Sequence, residues 1–334
     1  MRRLQYFFSS ALCVVLLGGC GGDNGTGPSV PGAGRDALPG GLRTQAADAV
    51  DSTLAFGKAT QKYSLYVPDF GGNRLTTYSS KGKLILTITT DLYGPSGAAV
   101  DKTGKIYVTN YFGGSSGSGN VTTYLANGTQ TTPTITAGID GPEGICVDKN
   151  GKIYVADFYG PTKSGTGSVT TYNPDGSQTT PTITTGIDGP FGLAVDATGK
   201  IYVVNLNNDT VTTYESDGTQ TTPTITAGLA AAGDVAVDAI GKIYVTNALG
   251  GASDNGSVTT YTANGTQTTP TITAGMNGPE AVSVDANGKI YVGNYMGPGR
   301  KGGFGSVTTY TAKGRQIKPT ITKGIVQPGF FTLH

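Results

Sequence analysis

The sequence predicts an all-β fold built as a closed ring of four-stranded sheets, and three observations predict it. A short apolar strand recurs as Leu65-Tyr-Val67, Ile106-Tyr-Val108, Ile153-Tyr-Val155, Ile201-Tyr-Val203, Ile243-Tyr-Val245 and Ile290-Tyr-Val292, its tyrosines separated by 41, 47, 48, 42 and 47 residues. Three further strand-like segments recur in step with it. They are Leu75-Thr-Thr-Tyr78 and the Val-Thr-Thr-Tyr copies ending at Tyr124, Tyr172, Tyr214, Tyr261 and Tyr310; Leu86-Thr-Ile-Thr89 and the Pro-Thr-Ile-Thr copies from Pro133, Pro181, Pro223, Pro270 and Pro319; and Gly97 to Asp101, Gly144 to Asp148, Gly192 to Asp196, Asp234 to Asp238 and Ala281 to Asp285. Glycine-bearing turns separate them: Asp148-Lys-Asn-Gly-Lys152 and its copies, and Asn127-Gly128, Asp175-Gly176, Asp217-Gly218 and Asn264-Gly265, place glycine where a hairpin needs positive φ. Four short strands about every 45 residues are the pattern of a β-propeller blade. A lone four-stranded sheet cannot bury both faces, whereas radially packed sheets can, which accounts for Ile-Tyr-Val without a polar alternate.

Taken in order, the chain opens with Met1-Arg2-Arg3, a positively charged start, and the mostly apolar run Leu4 to Leu17, too short to span a bilayer. Leu17-Gly18-Gly19-Cys20 follows and resembles the lipobox of bacterial lipoproteins, which implies cleavage before Cys20, lipid on that cysteine, and membrane attachment through acyl chains. Residues 1–19 are therefore expected to be a lipoprotein signal peptide, and residues 20–61, rich in Gly, Pro, Ala, Ser and Thr, the lipidated cysteine and a flexible tether. Asp23 does not sit directly beside Cys20, so the expected location is the outer membrane or cell surface. Cys13 leaves with the signal and Cys20 is lipidated, which leaves Cys146 as the one thiol of the folded domain; mid-strand, it reads as a small buried hydrophobe.

Residues 62–334 are expected to form the propeller. Its first copy lacks an inner strand, and the C-terminal Gln327-Pro-Gly-Phe-Phe-Thr-Leu-His334 aligns with the inner strand Gly189-Pro-Phe-Gly-Leu-Ala-Val-Asp196. The C-terminal strand should thus join the first blade and close a six-bladed ring with four antiparallel strands per blade. A net charge of +1 and 13% charged residues offer no basic face for phosphates, so no nucleic acid is expected as partner, and the chain is expected to be a monomer.

Gly141-Pro-Glu-Gly-Ile-Cys-Val-Asp-Lys-Asn-Gly-Lys-Ile-Tyr-Val-Ala-Asp157 resembles the NHL repeat, and Ile106-Tyr-Val-Thr-Asn110 and Ile243-Tyr-Val-Thr-Asn247 resemble the YVTN repeat. The resemblance covers about residues 63 to 334 and implies a propeller. Similar propellers include gluconolactonase-type lactonases, peptide-amidating lyases, streptogramin lyases and non-enzymatic scaffolds, so fold does not choose among functions.

Antiparallel threading puts the Gly-Pro-x-Gly lead-in to each inner strand and the loop after each Ile-Tyr-Val strand on one face, and the Asp-x-x-Gly-Lys hairpins on the other. Three columns of residues meet the first face. The x position holds Ser96, Glu143, Phe191, Gly233, Glu280 and Gly329. In gluconolactonase-like enzymes Asn or Asp there supplies ligands to a divalent ion; here the resemblance implies at most Glu143 and Glu280, with Asp234 one place along from Gly233, as ligands for Ca²⁺, which takes six to eight oxygens. The second column, Asp69, Asn110, Asp157, Asn205, Asn247 and Asn294, is uniform and reads as structural, capping the turn out of the strand. The third, Phe70, Tyr111, Phe158, Leu206, Ala248 and Tyr295, is mostly aromatic and either stacks on a ligand at the mouth or tucks between blades. Glu143, Phe191, Glu280, Tyr111, Phe158 and Tyr295 are the expected ligand-binding residues.

Other motifs fail. Gly297-Pro-Gly-Arg-Lys-Gly302 matches G-x-G-x-x-G but leads into a strand rather than a helix. The one histidine, His334, is the last residue, so the histidines that lyase-type propellers use are missing and no Ser/His/Asp triad can form within the fold. The expected function is a surface-tethered scaffold that binds an unidentified ligand or envelope protein through its loop face, with no catalytic residues assigned; the alternative is a divalent-metal-dependent, lactonase-like hydrolase at the channel mouth, and a third reading is a purely structural envelope module.

Overall fold

A computed structural model of the chain describes residues 63–114, 117–160, 166–251, 255–296 and 304–334. The expected signal peptide, Cys20 and the tether, and the 297–302 glycine motif, lie outside the described residues. Among the described residues the chain folds into six four-stranded antiparallel sheets, each one copy of the repeat. Blade 3 shows the plan: Pro142–Val147, Ile153–Asp157, Ser168–Tyr172 and Gln178–Ile183 lie side by side from the inside outwards. The inner strands of blades 2, 4, 5 and 6 are Pro95–Val100, Pro190–Val195, Ala232–Val237 and Pro279–Val284. Neighbouring inner strands lie against one another, so the sheets are arranged radially.

Apolar residues bury themselves at the seams between blades rather than in one central core. Ala99, Tyr107, Val121 and Ile135 of blade 2, for example, pack on Ile145, Ile153, Val155 and Tyr172 of blade 3. Each of the six seams has its own such cluster. Both faces of a central strand are therefore dry, and each fully buried aliphatic or aromatic side chain contributes about 1.5–3 kcal/mol. The tyrosine ending every third strand crosses a seam. Its hydroxyl donates to a carbonyl at the end of the previous blade's outer strand: Tyr124 to Thr90, Tyr172 to Ala137, Tyr214 to Thr185, Tyr261 to Ala227, Tyr310 to Ala274 and Tyr78 to Lys323, at 2.6 to 2.9 Å.

The Tyr78–Lys323 bond spans the first and last blades, where the ring closes. Blade 1 consists of Ser64–Asp69, Arg74–Ser79 and Leu84–Ile88, with Thr332–Leu333 as its inner strand. Leu65 pairs with Leu333 and Tyr66 with Thr332, as Ile201 pairs with Val195 and Tyr202 with Ala194 in blade 4. The chain ends therefore close the ring in the register that the alignment of Gln327–His334 with Gly189–Asp196 predicts. The same registers confirm the two faces: in blade 3, Pro142 lies opposite Asp157 at one end and Val147 opposite Ile153 at the other, where Gly151 turns the hairpin at φ 88°.

Candidate ligand site at the channel mouth

Every complete inner strand carries one residue more than its neighbour near the Pro-x-Gly lead-in. In blade 6, Pro279 pairs with Asn294 but Ala281 with Gly293, so Glu280 is the extra residue; in blade 2 it is Ser96. The same shift occurs in blades 3, 4 and 5. A bulge re-aims a side chain that a regular strand would send into the sheet's pleat, and this is how the x column comes to differ from the strand around it.

Two pairs of opposite blades meet at the axis. Blades 4 and 1 contribute Phe191 and Phe330, both buried, whose rings touch edge to face with centroids 4.9 Å apart. Blades 3 and 6 contribute Glu143 and Glu280. Both glutamates are half-buried, reached by solvent yet enclosed by protein. Burial pushes the Glu143 carboxyl well above the usual range and Glu280 adds to the effect across the axis. Burial also pushes Glu280 up, to about 8. Among the described residues no cation offsets either shift.

The blade 1 position differs from expectation. Gly329 was the aligned x residue, but the side chain delivered to the axis is that of Phe330, one place along. Gly329 is pressed on its neighbour: a Cβ there would lie 2.1 Å from the Ser96 carbonyl oxygen. Phe330 stands where the other inner strands carry glycine, aspartate or alanine (Gly97, Gly144, Gly192, Asp234, Ala281), and that mismatch was the available signal.

Asp234 is not a third carboxylate beside the glutamates. Its Oδ1 accepts from the backbone N–H of Val235 at 2.8 Å and its Oδ2 from that of Val282 at 3.0 Å, tying blade 5 to blade 6. It is buried, which raises its pKa to about 8 against the lowering effect of those two bonds. Among the described residues no group of three or more His, Cys, Asp or Glu could hold a metal ion. The expected trio Glu143, Glu280 and Asp234 therefore does not assemble, and two carboxyls do not fit an ion that wants six to eight oxygens.

The uniform second column is structural, but it does not cap the turn leaving the strand. Each side chain reaches back to the loop before the inner strand. Oδ1 of Asn110, Asp157, Asn205, Asn247 and Asn294 accepts from the N–H of Tyr93, Asp140, Asp188, Ala230 and Asn277, and Oδ1 of Asp69 accepts from Val326 and Gln327. Nδ2 of the asparagines donates to a threonine hydroxyl on the third strand: Thr122, Thr212, Thr259 and Thr308. These bonds hold the Gly-Pro lead-in, and thus the x residue, in place. Asp69 is neutralised by Arg74 at 2.8 Å. Asp157 is not; burial raises its pKa well above the ordinary value, partly offset by the Thr170 hydroxyl and the Asp140 N–H, with Asp140 raising it further.

The third column lies along the seams on the loop face, half-buried. Phe70 and Phe112 cover Gly94, and Tyr159 with Tyr111 covers Gly141; any Cβ on either glycine would meet a ring. Phe70, Tyr111 and Phe112 make edge or tilted contacts at 6.2, 5.8 and 4.9 Å, and Phe158 packs on Tyr159 at 5.2 Å. The Tyr111 and Tyr159 hydroxyls lie 3.1 Å apart. Burial raises the Tyr111 pKa, with further contributions from the Tyr159 bond and the charge of Glu143. Tyr295 accepts from Gln327 Nε2 at 2.8 Å, across the closing seam. The aromatic arc thus spans blades 1 to 3 and includes Phe112 and Tyr159, which column reasoning missed because they lie one place further along the loop. Cys146 is partly buried against the seam between blades 3 and 4.

This architecture defines the class: a six-bladed β-propeller with an NHL repeat, the repeat's profile matching residues 140–160. Among solved structures, a chain of the nidogen/laminin complex is 18% identical with a TM-score of 0.60, covering 81% of this chain and 98% of that one. A Bacteroides caccae protein of unknown function is 13% identical with a TM-score of 0.62, covering 82% and 99%. A putative 6-phosphogluconolactonase from Bacteroides fragilis is 16% identical with a TM-score of 0.57, covering 85% and 100%. At these identities the likeness is one of fold. No curated protein matches the sequence.

Proposed function

We infer that this protein is a binding module that takes its ligand at the loop face of the propeller, around the axis, and performs no chemistry on it. The observation that carries this reading is where the repeat breaks. Strand positions are nearly identical from blade to blade, whereas the inner-strand lead-ins put Glu143, Phe191, Glu280 and Phe330 at the axis, with Tyr111, Phe158 and Tyr295 around them. A scaffold with only a structural role gains nothing from enclosing two uncompensated carboxyls, which weaken it. The nidogen/laminin complex is a precedent, at the level of fold, for a propeller in a protein–protein assembly.

The module is exported and held at the outer membrane or cell surface through lipid on Cys20, as a monomer whose ligand or protein partner lies in the envelope. Palmitate labelling of the expressed protein tests this: label should be incorporated by the wild type and lost in Cys20→Ser. The binding reading is tested by thermal melts against amines, peptides, sugars and lactones, comparing wild type with the Glu143→Gln/Phe191→Ala/Glu280→Gln variant. At least one class should stabilise the wild type alone, since a ligand at a hundred times its dissociation constant adds about 2.7 kcal/mol.

The second reading, a hydrolase at the same mouth, draws on Glu280, whose pKa of about 8 suits a general acid near neutrality. Turnover of a lactone by wild type and its loss in Glu280→Gln would establish it over the binding module.

A further inference from the structure

Most carboxylates enclosed near this face are answered by a partner. Asp69 has Arg74 and two backbone N–H groups, Asp234 has two backbone N–H groups, and Asp157 has the Thr170 hydroxyl and the Asp140 N–H. Asp140, in the loop before the blade 3 inner strand, leaves its Oδ2 without a hydrogen-bond partner, and Glu143 and Glu280 are the exceptions on the inner strands. Among the described residues neither carboxyl makes a hydrogen bond or an ion pair, and the field each feels is burial plus, for Glu143, the like charge of Glu280. Ionising two carboxyls in so enclosed a spot destabilises the fold, and a positive charge placed between them would relieve both at once.

The surroundings narrow what that charge can be. The groups that share the axis with the glutamates are aromatic: Phe191 and Phe330 in edge-to-face contact, and Tyr111 close enough to feel the charge of Glu143. The face of an aromatic ring attracts a cation, and more so where water is excluded. Among the described residues a hard divalent metal would find two carboxyls and no third His, Cys, Asp or Glu grouped with them to complete its shell. A charged nitrogen on an apolar stem finds both things it needs, carboxyls for its N–H groups and rings for its stem.

We propose that the channel mouth binds an organic cation, a primary ammonium or guanidinium group on an apolar stem, between Glu143 and Glu280, against the Phe191–Phe330 pair and with Tyr111 at the rim. The source is either a free amine or a lysine or arginine side chain of a partner polypeptide. This rests on the loop face being the binding face, as inferred above.

The test uses purified full-length protein and isothermal titration with three probes: the N-acetylated, C-amidated tripeptide Gly-Arg-Gly, the same blocked tripeptide with citrulline in place of arginine, and agmatine. Citrulline keeps the shape of arginine and loses its charge. The expected result is binding of the arginine peptide that weakens at least tenfold with citrulline, weakens at least tenfold in Glu143→Gln or Glu280→Gln, and falls as salt is raised. Equal binding of agmatine identifies a free amine as the source, and preference for the peptide identifies a polypeptide side chain. Both glutamine variants remove a repulsion, so they should fold at least as well as wild type, and thermal melts check this. Equal affinity for the citrulline peptide, undiminished binding in the glutamine variants, or a Ca²⁺-induced melt shift that Glu143→Gln abolishes overturns the proposal. If cations fail but a neutral sugar or lactone protects only the wild type in the melts above, this proposal falls and the binding module stands. If no class binds, both fall.

Discussion

Phe191 and Phe330 come from opposite blades and meet edge to face with ring centroids 4.9 Å apart. Phe330 belongs to the segment that closes the ring: its carbonyl accepts from the Ala98 N–H at 2.9 Å and its N–H donates to the Ser96 carbonyl at 2.8 Å. The contact therefore joins ring closure to the candidate site. Phe191→Ala and Phe330→Ala should each cost about 3 kcal/mol, and the double variant should cost less than their sum by about 1 kcal/mol, because the pair interaction is lost only once. Urea midpoints of the four proteins check this.

Removing residues 328–334 should do far more than lose a short strand. It deletes Phe331 and Leu333 from the seam between blades 6 and 1, and the pairing with Leu65 and Tyr66. Several kcal/mol is comparable to the whole stability of a typical domain. The expected outcome is loss of a cooperative melt and exposure of apolar surface to a hydrophobic dye, whereas Tyr78→Phe, which removes one bond across the same seam, should cost only about 1 kcal/mol.

Asp157→Asn should stabilise the protein. In blade 5 the equivalent Asn247 donates to Ser257 Oγ and Thr259 Oγ1 while accepting from the Ala230 N–H. Asp157 has no N–H to give, and Ser168 Oγ, opposite it, has no hydrogen-bond partner. An asparagine satisfies that oxygen and removes a buried charge, worth about 1–2 kcal/mol near neutral pH. The gain should shrink towards pH 4 and vanish at about pH 3, where Asp157 is protonated in both folded and unfolded chains. Denaturation at pH 4 and pH 8 checks both the sign and the trend.

Stability should fall from mildly acidic to mildly basic pH. Glu143, Glu280 and Asp234 hold their protons more tightly folded than unfolded, the latter two up to about 8. Below about pH 4 both states are protonated and nothing is lost; between about pH 4 and pH 8 the unfolded chain releases these protons first, so the folded state is progressively disfavoured. The hairpin residues Asp101 and Asp196 act in the other direction. Burial raises them, but hydrogen bonds from Thr103 and Lys105, and from Thr198 and Lys200, hold them below the ordinary value. Their contribution is lost only as pH falls below about 4. The urea midpoint should therefore peak near pH 4–5, and Glu143→Gln/Glu280→Gln should flatten the decline to pH 8 while matching wild type at pH 4.

Sequence alone determined the architecture, because periodicity carries it: the Ile-Tyr-Val, Thr-Thr-Tyr and Pro-Thr-Ile repeats count the blades, and Gln327–His334 announces its own place by aligning with Gly189–Asp196. It also determined that Glu143 and Glu280 lie on opposite blades, since blades 3 and 6 are opposite in any ring of six. What it left open depended on bulges, loops and packing, which have no repeat to read. Tertiary structure decided that Phe330 rather than Gly329 reaches the axis, because Ser96 leaves no room for a side chain at Gly329. It decided that Asp234 is consumed by the Val235 and Val282 amides instead of joining the glutamates. It decided that Asp69 and the asparagines grip the incoming loop rather than the outgoing turn, and that Phe112 and Tyr159 extend the aromatic arc. Strands are set by local pattern, whereas the contents of the axis are set by which side chains, arriving from six separate blades, find room and partners there.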